Sequence, residues 1–237
     1  MTVNFKNFDA TYQPRVLGDF LFENDADRVF LDNIITGTTP FPSSNKYGLI
    51  FEGHVGIGKS TLARALPNYM EAAYNSSIAN WCYEYNIKSG LNGASLFEDI
   101  EKKFESHHAF NRCRYIILNE VDRLTKASMG DLKSLMDTAS KSTVFIMTTN
   151  NFDVIDPAVK SRSYKISFNN ILPSAYLPLI KRVMADYEVG IYKDPDLEKL
   201  VRVQQGDVRN ILCGAQQMIE AYYAARPQLT PPALPTP

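Results

Sequence analysis

The segment from residue 53 to residue 61 combines glycines with a lysine and two hydroxyl side chains. In order, its residues are Gly53, His54, Val55, Gly56, Ile57, Gly58, Lys59, Ser60 and Thr61. The glycines allow successive backbone N–H groups to point inward, where they can bind phosphate oxygens. Lys59 is placed to reach the β- and γ-phosphates, and Ser60 to offer its hydroxyl to Mg²⁺. The pattern predicts a loop that binds a nucleoside triphosphate.

Polar residues end the apolar run at residues 115–118. Glu120 stands where a general base would polarise the water that attacks the γ-phosphate. Asn119 stands where this chemistry usually has an aspartate, so a negative charge beside Mg²⁺ is missing. We expect weaker Mg²⁺ affinity and slower hydrolysis with nucleotide binding retained, and Asn119→Asp to raise turnover if Asn119 limits it. The alternative is that residues 119–122 only cap the next helix.

Three more side chains are candidates for the same chemistry. Asn150 follows a second apolar run and could hydrogen-bond the attacking water or the γ-phosphate; otherwise it forms a turn. Arg162 could stabilise phosphoryl-transfer charge in a neighbouring subunit's site, or be a solvated surface residue. Arg209 begins the last predicted helix and could contact the γ-phosphate of its own subunit, or be a helix-terminal charge.

Alternating strands and helices must position these side chains. We predict strands in five apolar runs: Tyr47–Glu52, Ile78–Ile87, Tyr115–Leu118, Thr143–Thr148 and Tyr164–Phe168. Helices are predicted near residues 24–36, 60–73, 93–107, 125–140 and 155–161. This alternation predicts an α/β fold with a five-stranded parallel sheet, because parallel strands need crossover connections.

The domain organisation follows from a change of pattern after residue 168. Strand signals stop, and apolar residues recur at helical spacing. We predict an α/β domain over residues 1–170, of which the first 20 look extended, and a small helical lid over residues 171–226. Residues 227–237 hold five prolines and are predicted to be a disordered tail.

Composition restricts the class of protein. The 237 residues carry 25 basic and 26 acidic side chains, so overall charge neither predicts nor excludes nucleic acid. Three widely spaced cysteines form neither a disulfide framework nor a metal pattern. No apolar run is long enough for a membrane span, and the first residues are not those of a signal peptide. A reducing, cytosol-like compartment is expected.

Taken together, the motifs resemble those of AAA+ ATPases, and specifically those of sliding-clamp loader subunits of the phage and replication factor C small-subunit type. Tyr12, Pro14 and Arg15 resemble the family's opening motif, which lies over the adenine. The other matches are residues 53–61 to the phosphate loop, 118–122 to the Asp-Glu-x-Asp segment with Asn119 as a departure, 149–151 to sensor 1, 161–163 to the Ser-Arg-Cys motif with Ser163 for Cys, and 206–210 to sensor 2.

The resemblance implies a three-layer αβα domain with a helical lid, and ATP and Mg²⁺ as cofactors. It implies partners as well: other AAA+ subunits, a ring-shaped sliding clamp and primer–template DNA, with no membrane. Arg123, Lys126 and Lys133 are the candidates for DNA phosphate contacts, unless they only form a solvated helix face. The implied location is the cytoplasm of a bacterial or phage-infected cell, or the nucleus of a eukaryote. Clamp loader subunits usually carry a third helical domain, whereas this sequence stops soon after the lid. We expect that the chain is truncated, that another protein supplies assembly, or that the subunits join only through their ATP interfaces.

Other functions stay open from the sequence. One is a different AAA+ loader or remodeller, such as a helicase loader. A second is a nucleotide-binding structural subunit with little hydrolysis, which Asn119 motivates. A metabolic kinase would need a substrate pocket, whereas Arg209 and the Ser161–Ser163 segment suit an assembly.

Overall fold

The structure, a computed structural model, describes residues 3, 5–6, 8–75, 82–88, 93–104, 113–139 and 142–232. By its internal contacts the chain divides into two compact units. A sheet unit comprises Phe22–Gly53 and Lys59–Asn169, and a helical unit comprises Met1–Leu21, His54–Gly58 and Asn170–Pro237.

Five parallel strands form the centre of the sheet unit. They are β1 (Gly48–Glu52), β2 (Cys82–Asn86), β3 (Arg114–Asn119), β4 (Thr143–Thr149) and β5 (Ser163–Ser167). Their order across the sheet is β2-β3-β4-β1-β5. Every residue of β3 and β4 is buried, as expected for central strands that are covered on both faces.

Helices alternate with the strands in the sheet unit. They are α2 (Asp25–Ile35), α3 (Lys59–Asn75), α4 (Ala94–Phe104), α5 (Lys126–Thr138) and α6 (Pro157–Ser161). Side-chain caps fix several of their starts, because the first N–H groups of a helix lack intrahelical partners. The side chain of Asn24 accepts from the Asp27 N–H, and that of Thr125 accepts from the Ser128 N–H.

The sheet unit has three layers. Ile116 and Leu118 of β3 share a core with Leu96 of α4 and Leu132 of α5, so these two helices cover one face. Because side chains alternate along a strand, Tyr115 and Ile117 point to the opposite face. That face is also buried, and α3 contacts it.

The helical unit has its own apolar core. Its helices are α1 (Phe8–Thr11), α7 (Leu177–Asp186), α8 (Asp194–Val203) and α9 (Val208–Ala224). Phe8 and Tyr12 pack into this core together with Ile180 of α7, Leu197 of α8 and Ile211 of α9. Amphipathic helices of this kind are stabilised mainly by burial of their apolar faces against one another.

The predicted fold class is confirmed: a five-stranded parallel α/β domain followed by helices. The predicted strand ends agree within two residues for four strands. For the second strand, residues 82–86 are observed and residues 78–81 lie outside the described part. The first 20 residues are not wholly extended, because α1 forms there.

The structure does not test three other predictions from the sequence. The domain limits of 1–170 and 171–226 stay predictions. Residues 105–107 of the helix predicted over 93–107 lie outside the described residues. So do residues 233–237 of the predicted disordered tail.

Candidate functional site

The predicted phosphate loop lies between a strand and a helix, as the motif requires. Strand β1 ends at Glu52, and α3 begins at Lys59. Gly56 and Gly58 have φ angles of +81° and +99°, a region that L side chains rarely adopt. The motif glycines therefore allow the backbone turn between β1 and α3.

Lys59 is buried and held by hydrogen bonds to the loop and to β4's end. Its ammonium donates to the Gly53 carbonyl at 2.7 Å and to Asn150 Oδ1 at 3.0 Å. Burial lowers the pKa of Lys59 to about 8, although the carboxylates of Asp122 and Glu120 oppose that shift. A cation fixed at the start of α3, where helix N–H groups also lack partners, is suited to binding phosphate.

Asn119 is at the centre of a hydrogen-bond network that crosses three strands. Its side-chain amide donates to Glu84 Oε1 at 2.7 Å and to Asn86 Oδ1 at 3.1 Å, both on β2. Its side-chain oxygen accepts from the Thr148 hydroxyl of β4 at 3.1 Å. The predicted magnesium ligand is thus 3% exposed and satisfied by protein groups at both ends of its amide.

Glu120 directly follows β3 in an unusual backbone conformation. Its φ and ψ are 62° and 47°, in the left-handed region that costs a non-glycine residue roughly 1–2 kcal/mol. Its N–H donates to the Thr148 hydroxyl at 3.1 Å. Its carboxylate forms an ion pair with Arg123 at 2.8 Å. Strain of this kind is common in functional segments, where it fixes the direction of a side chain.

Asp122 joins the ends of β3 and β4. Its Oδ1 accepts from the Thr149 hydroxyl at 2.9 Å and from the Asn150 N–H at 3.3 Å. These bonds hold the backbone at Asn150, whose side chain in turn contacts Lys59. The polar residues predicted at the ends of the two strands therefore converge in the sheet unit.

Arg162 follows α6 and is engaged within its own chain. Its guanidinium binds the Asp137 carboxylate with two hydrogen bonds, at 2.5 and 3.0 Å, and also donates to the Ala158 carbonyl at 2.8 Å. The guanidinium holds the pKa of Asp137 below its usual range. These contacts orient Arg162, and its predicted role in a neighbouring subunit stays a prediction.

The helical unit contains the remaining predicted nucleotide contacts. Tyr12 is 3% exposed, and its hydroxyl donates to Asp186 at 2.9 Å. Burial raises the pKa of Tyr12 above its usual value. Pro14 is half-buried and Arg15 is exposed. Tyr12 has a structural role in the core, and its predicted contact with adenine stays a prediction.

Gly56 of the phosphate loop is bonded within the helical unit. Its carbonyl accepts from the Val208 N–H at 3.1 Å. A Cβ placed on Gly56 would meet the Asp207 carboxylate at 2.1 Å, so only glycine fits there. Arg209, the predicted γ-phosphate contact, lies one residue further along α9 and is exposed.

The three predicted DNA contacts lie on one segment but differ in their partners. Arg123 is paired with Glu120, and Lys133 contacts Asp137 at 3.6 Å. Lys126 is exposed at the start of α5, and the described residues provide no ion pair for it. Their contact with DNA stays a prediction.

The described residues contain no cluster of three His, Cys, Asp or Glu that could hold a metal ion by itself. The hydroxyl of Ser60 and the carboxylates of Glu120 and Asp122 are oxygen donors of the type that Mg²⁺ prefers. Mg²⁺ at nucleotide sites uses few protein ligands, because phosphates and water complete its coordination. The residues therefore fit a magnesium ion that is shared with a nucleotide.

Sequence reasoning missed three polar partners in this region: Glu84, Asp137 and Thr148. Each contacts a predicted residue from another element: Glu84 and Thr148 bind Asn119, and Asp137 binds Arg162. The signal available for Glu84 was a charged residue inside a predicted strand, which is unusual unless the charge is paired or at a sheet edge.

Fold and site together define a phosphate-loop α/β protein. The family model described as "ATPase family associated with various cellular activities (AAA)" matches residues 49–170, just over half of the chain. The chain therefore belongs to the AAA family.

Curated relatives match most of this chain. It is 26% identical over 217 residues to replication factor C subunit 3 of Schizosaccharomyces pombe, a match that spans 90% of this chain and 58% of the relative. It is 28% identical to the replication factor C small subunit of Natronomonas pharaonis, over 86% and 60% of the two chains. It is 29% identical to replication factor C subunit 4 of Caenorhabditis elegans, over 87% of this chain and 61% of the relative. The chain thus spans about three fifths of the length of these relatives.

The solved structures support the fold. The RuvB Holliday junction branch migration motor of Thermotoga maritima matches 91% of this chain and 67% of its own, with a TM-score of 0.65 and 14% identity. Among the residues that the structure describes, no helix is both long and apolar enough to cross a membrane.

Proposed function

We propose that the chain is an ATP-binding and ATP-hydrolysing subunit of a complex that loads a sliding clamp onto primer–template DNA. The observation that supports ATP binding most strongly is the position of Lys59. This buried cation at the start of α3 is hydrogen-bonded to the Gly53 carbonyl and to Asn150. The choice of clamp loading among AAA functions rests on the relatives, which are replication factor C subunits.

ATP would bind through the backbone of residues 53–58 and the side chain of Lys59. Thr61 follows on the first turn of α3. The Ser60 hydroxyl, with the acidic residues after β3, would hold Mg²⁺, which supplies charge neutralisation to the phosphates. Tyr12, Pro14 and Arg15 are proposed to lie at the adenine.

Hydrolysis would depend on residues that follow the strands. Glu120 would accept a proton from the attacking water, once its carboxylate is free of Arg123. Asn150 would orient the water or the γ-phosphate. Arg209 would contact the γ-phosphate in the same chain, and Arg162 would stabilise developing charge in a neighbouring subunit.

The proposed partners are other AAA subunits, a sliding clamp and primer–template DNA. DNA phosphates would meet Arg123, Lys126 and Lys133, all basic residues on or just before α5. We place the protein with the replication machinery of its cell, in the cytoplasm of a bacterial or phage-infected cell or in a eukaryotic nucleus.

A second candidate is a nucleotide-binding subunit that hydrolyses little ATP. The observation that favours it is Asn119, whose side-chain amide is bonded at both ends within the sheet and brings no negative charge. Such a subunit would still bind Mg²⁺ and ATP, and would depend on partner subunits for turnover.

The test is ATP turnover by the purified chain with and without primed DNA and the sliding clamp of its own organism. A loader subunit is expected to show turnover that both additions stimulate and that Lys59→Ala abolishes. Lys199→Ala, an exposed lysine on α8, is the matched control. ATP binding without turnover under all conditions would favour the second candidate. An ATP-bound protein that never co-elutes with the clamp would contradict clamp loading.

A further inference from the structure

The amide of Asn119 and the carboxylate of Glu84 form the shortest hydrogen bond of the Asn119 network, at 2.7 Å. The two residues lie on neighbouring parallel strands, in which Glu84 is paired with Ile117 and Asn86 with Asn119. Glu84 therefore reaches along the sheet to the end of β3. An amide at residue 119 thus faces a carboxylate that comes from β2.

The contact explains why residue 119 carries an amide. An aspartate there would place an oxygen where the Asn119 nitrogen now lies, at hydrogen-bond distance from Glu84 Oε1. Two carboxylates at that distance repel each other and cannot both ionise without cost. The sheet therefore accommodates one negative charge at this point, and Glu84 carries it.

Glu84 also faces the helix that begins at the phosphate loop. Its carboxylate forms an ion pair with Arg64 of α3 at 2.8 Å. Arg64 is four residues after Ser60, and residues at this spacing share one face of a helix. Glu84 thus contacts Asn119 directly, and its other partner, Arg64, lies on the face of α3 that also carries Ser60.

We propose that Glu84 is a positioning residue for the magnesium ion, and that its carboxylate replaces the aspartate expected at residue 119. The negative charge that an aspartate would supply on β3 thus comes from Glu84 on β2, and the amide of Asn119 orients the Glu84 carboxylate. The inference rests on the proposed nucleotide-binding function. It adds that Asn119 is half of a matched pair and does not mark a defective site.

The ion pair with Arg64 leaves the carboxylate able to act on a cation. The side chains of Arg64 and Glu84 are 56% and 28% exposed, so water and ions can reach the pair. Arg64 nevertheless holds the carboxylate in place, because its Nε donates to both Glu84 oxygens at 2.9 Å. A divalent cation nearby would compete effectively for the same carboxylate. Arg64→Gln is therefore expected to lower the Mg²⁺ concentration that nucleotide binding requires.

The test compares wild type, Glu84→Gln, Asn119→Asp and the double variant. The readouts are the unfolding midpoint without nucleotide and the Mg²⁺ concentration that gives half of the ATP-induced increase in that midpoint. Glu84→Gln is expected to raise the Mg²⁺ requirement roughly tenfold, as outer-sphere substitutions at metal sites do. Glu98→Gln, an exposed glutamate on α4, is the matched control.

Asn119→Asp and the double variant show whether Glu84 replaces the charge of an aspartate at residue 119 or has only a structural role. Asn119→Asp alone is expected to lower the unfolding midpoint, because it adds a carboxylate beside Glu84. The double variant is expected to return the Mg²⁺ requirement to within about threefold of wild type, because the aspartate at residue 119 then supplies the negative charge that Glu84→Gln removed. An unchanged Mg²⁺ requirement in Glu84→Gln, or a double variant no better than Glu84→Gln, would overturn the proposal. A wild-type protein that Mg²⁺ and ATP do not stabilise would instead overturn the proposed function itself.

Discussion

Lys59 and Asn150 are hydrogen-bonded at 3.0 Å, so the first residue of α3 is tied to the residue that follows β4. Asp122 fixes the Asn150 backbone in the same place. The cation proposed to bind phosphate and the amide proposed to orient water thus form one preorganised group. Preorganised groups cost little to arrange when the substrate arrives.

The burial of Lys59 should cost folding stability. Its pKa is about 8 against the usual 10.5, which corresponds to roughly 3 kcal/mol at neutral pH. The unfolded chain keeps its proton up to about pH 10.5, so this cost is present at pH 7 and is relieved as pH rises above about 8. We expect Lys59→Met to raise nucleotide-free stability by about 1 kcal/mol, since the loss of the lysine's hydrogen bonds offsets part of the gain. Denaturant unfolding, with Lys199→Met as control, measures this; a large loss of stability would contradict it.

The same pKa predicts how nucleotide affinity depends on pH. Phosphate binds the charged lysine, and free Lys59 loses its proton as pH rises through about 8. Affinity for ATP is therefore expected to be constant below pH 8 and to fall above it, by up to about tenfold per pH unit. Calorimetric titrations between pH 6.5 and 9.5 test this. An affinity that does not change over this range would show that Lys59 does not titrate near 8 or does not bind phosphate.

The role proposed for Arg162 in a neighbouring subunit predicts complementation between two inactive variants. Arg162→Ala is expected to keep ATP binding and lose turnover in the assembled protein, because its role is in a neighbouring site. Lys59→Ala is expected to lose binding yet still supply Arg162 to a neighbour. A mixture of the two variants should therefore hydrolyse ATP faster than the sum of each alone. Co-purification of one variant through an affinity tag on the other must show mixed oligomers, and no gain in their presence would contradict a role in trans.

The ion pair between Arg123 and Glu120 predicts a restrained general base. Arg123→Ala removes the partner that holds the Glu120 carboxylate at 2.8 Å. Basal turnover without DNA is expected to rise several-fold, while its stimulation by primed DNA falls. Arg202→Ala, which breaks a similar exposed pair with Glu198, is the control. Equal basal rates in wild type and Arg123→Ala would show that the pair does not restrain Glu120.

Lys126 offers the simplest test of DNA contact among the three basic candidates. Lys126→Ala is expected to weaken binding to primed DNA and to reduce the salt slope of log affinity by about 1. The effect should be the same for DNA of any sequence, because phosphates carry no sequence information. An unchanged slope, as expected for Lys199→Ala, would remove Lys126 from the interface.

The central sheet was predictable because β3 and β4 are continuous apolar runs with polar residues after them. The phosphate loop was predictable because its nine residues are contiguous in sequence. The contacts of Asn119 with Glu84 and of Arg162 with Asp137 were not predictable, because they join residues 35 and 25 positions apart. Such pairs depend on strand order and helix packing, which local patterns do not encode.

The second strand shows the same limit. Cys82–Asn86 alternates aromatic and polar side chains at the edge of the sheet, so its burial is partial and its ends are weakly marked. Of the strand predicted over Ile78–Ile87, residues 82–86 are observed as strand, Ile87 lies beyond its end, and residues 78–81 lie outside the described part. Glu84 could be located only once the register with β3 was known.

The most direct measurement of the central claim is a calorimetric titration of the purified chain with ATP and Mg²⁺, beside Lys59→Met and Lys199→Met. A phosphate-loop ATPase subunit is expected to bind one ATP per chain, with binding lost in Lys59→Met and unchanged in Lys199→Met. Wild-type protein that binds no ATP, or a Lys59→Met variant that binds it equally well, would contradict the account.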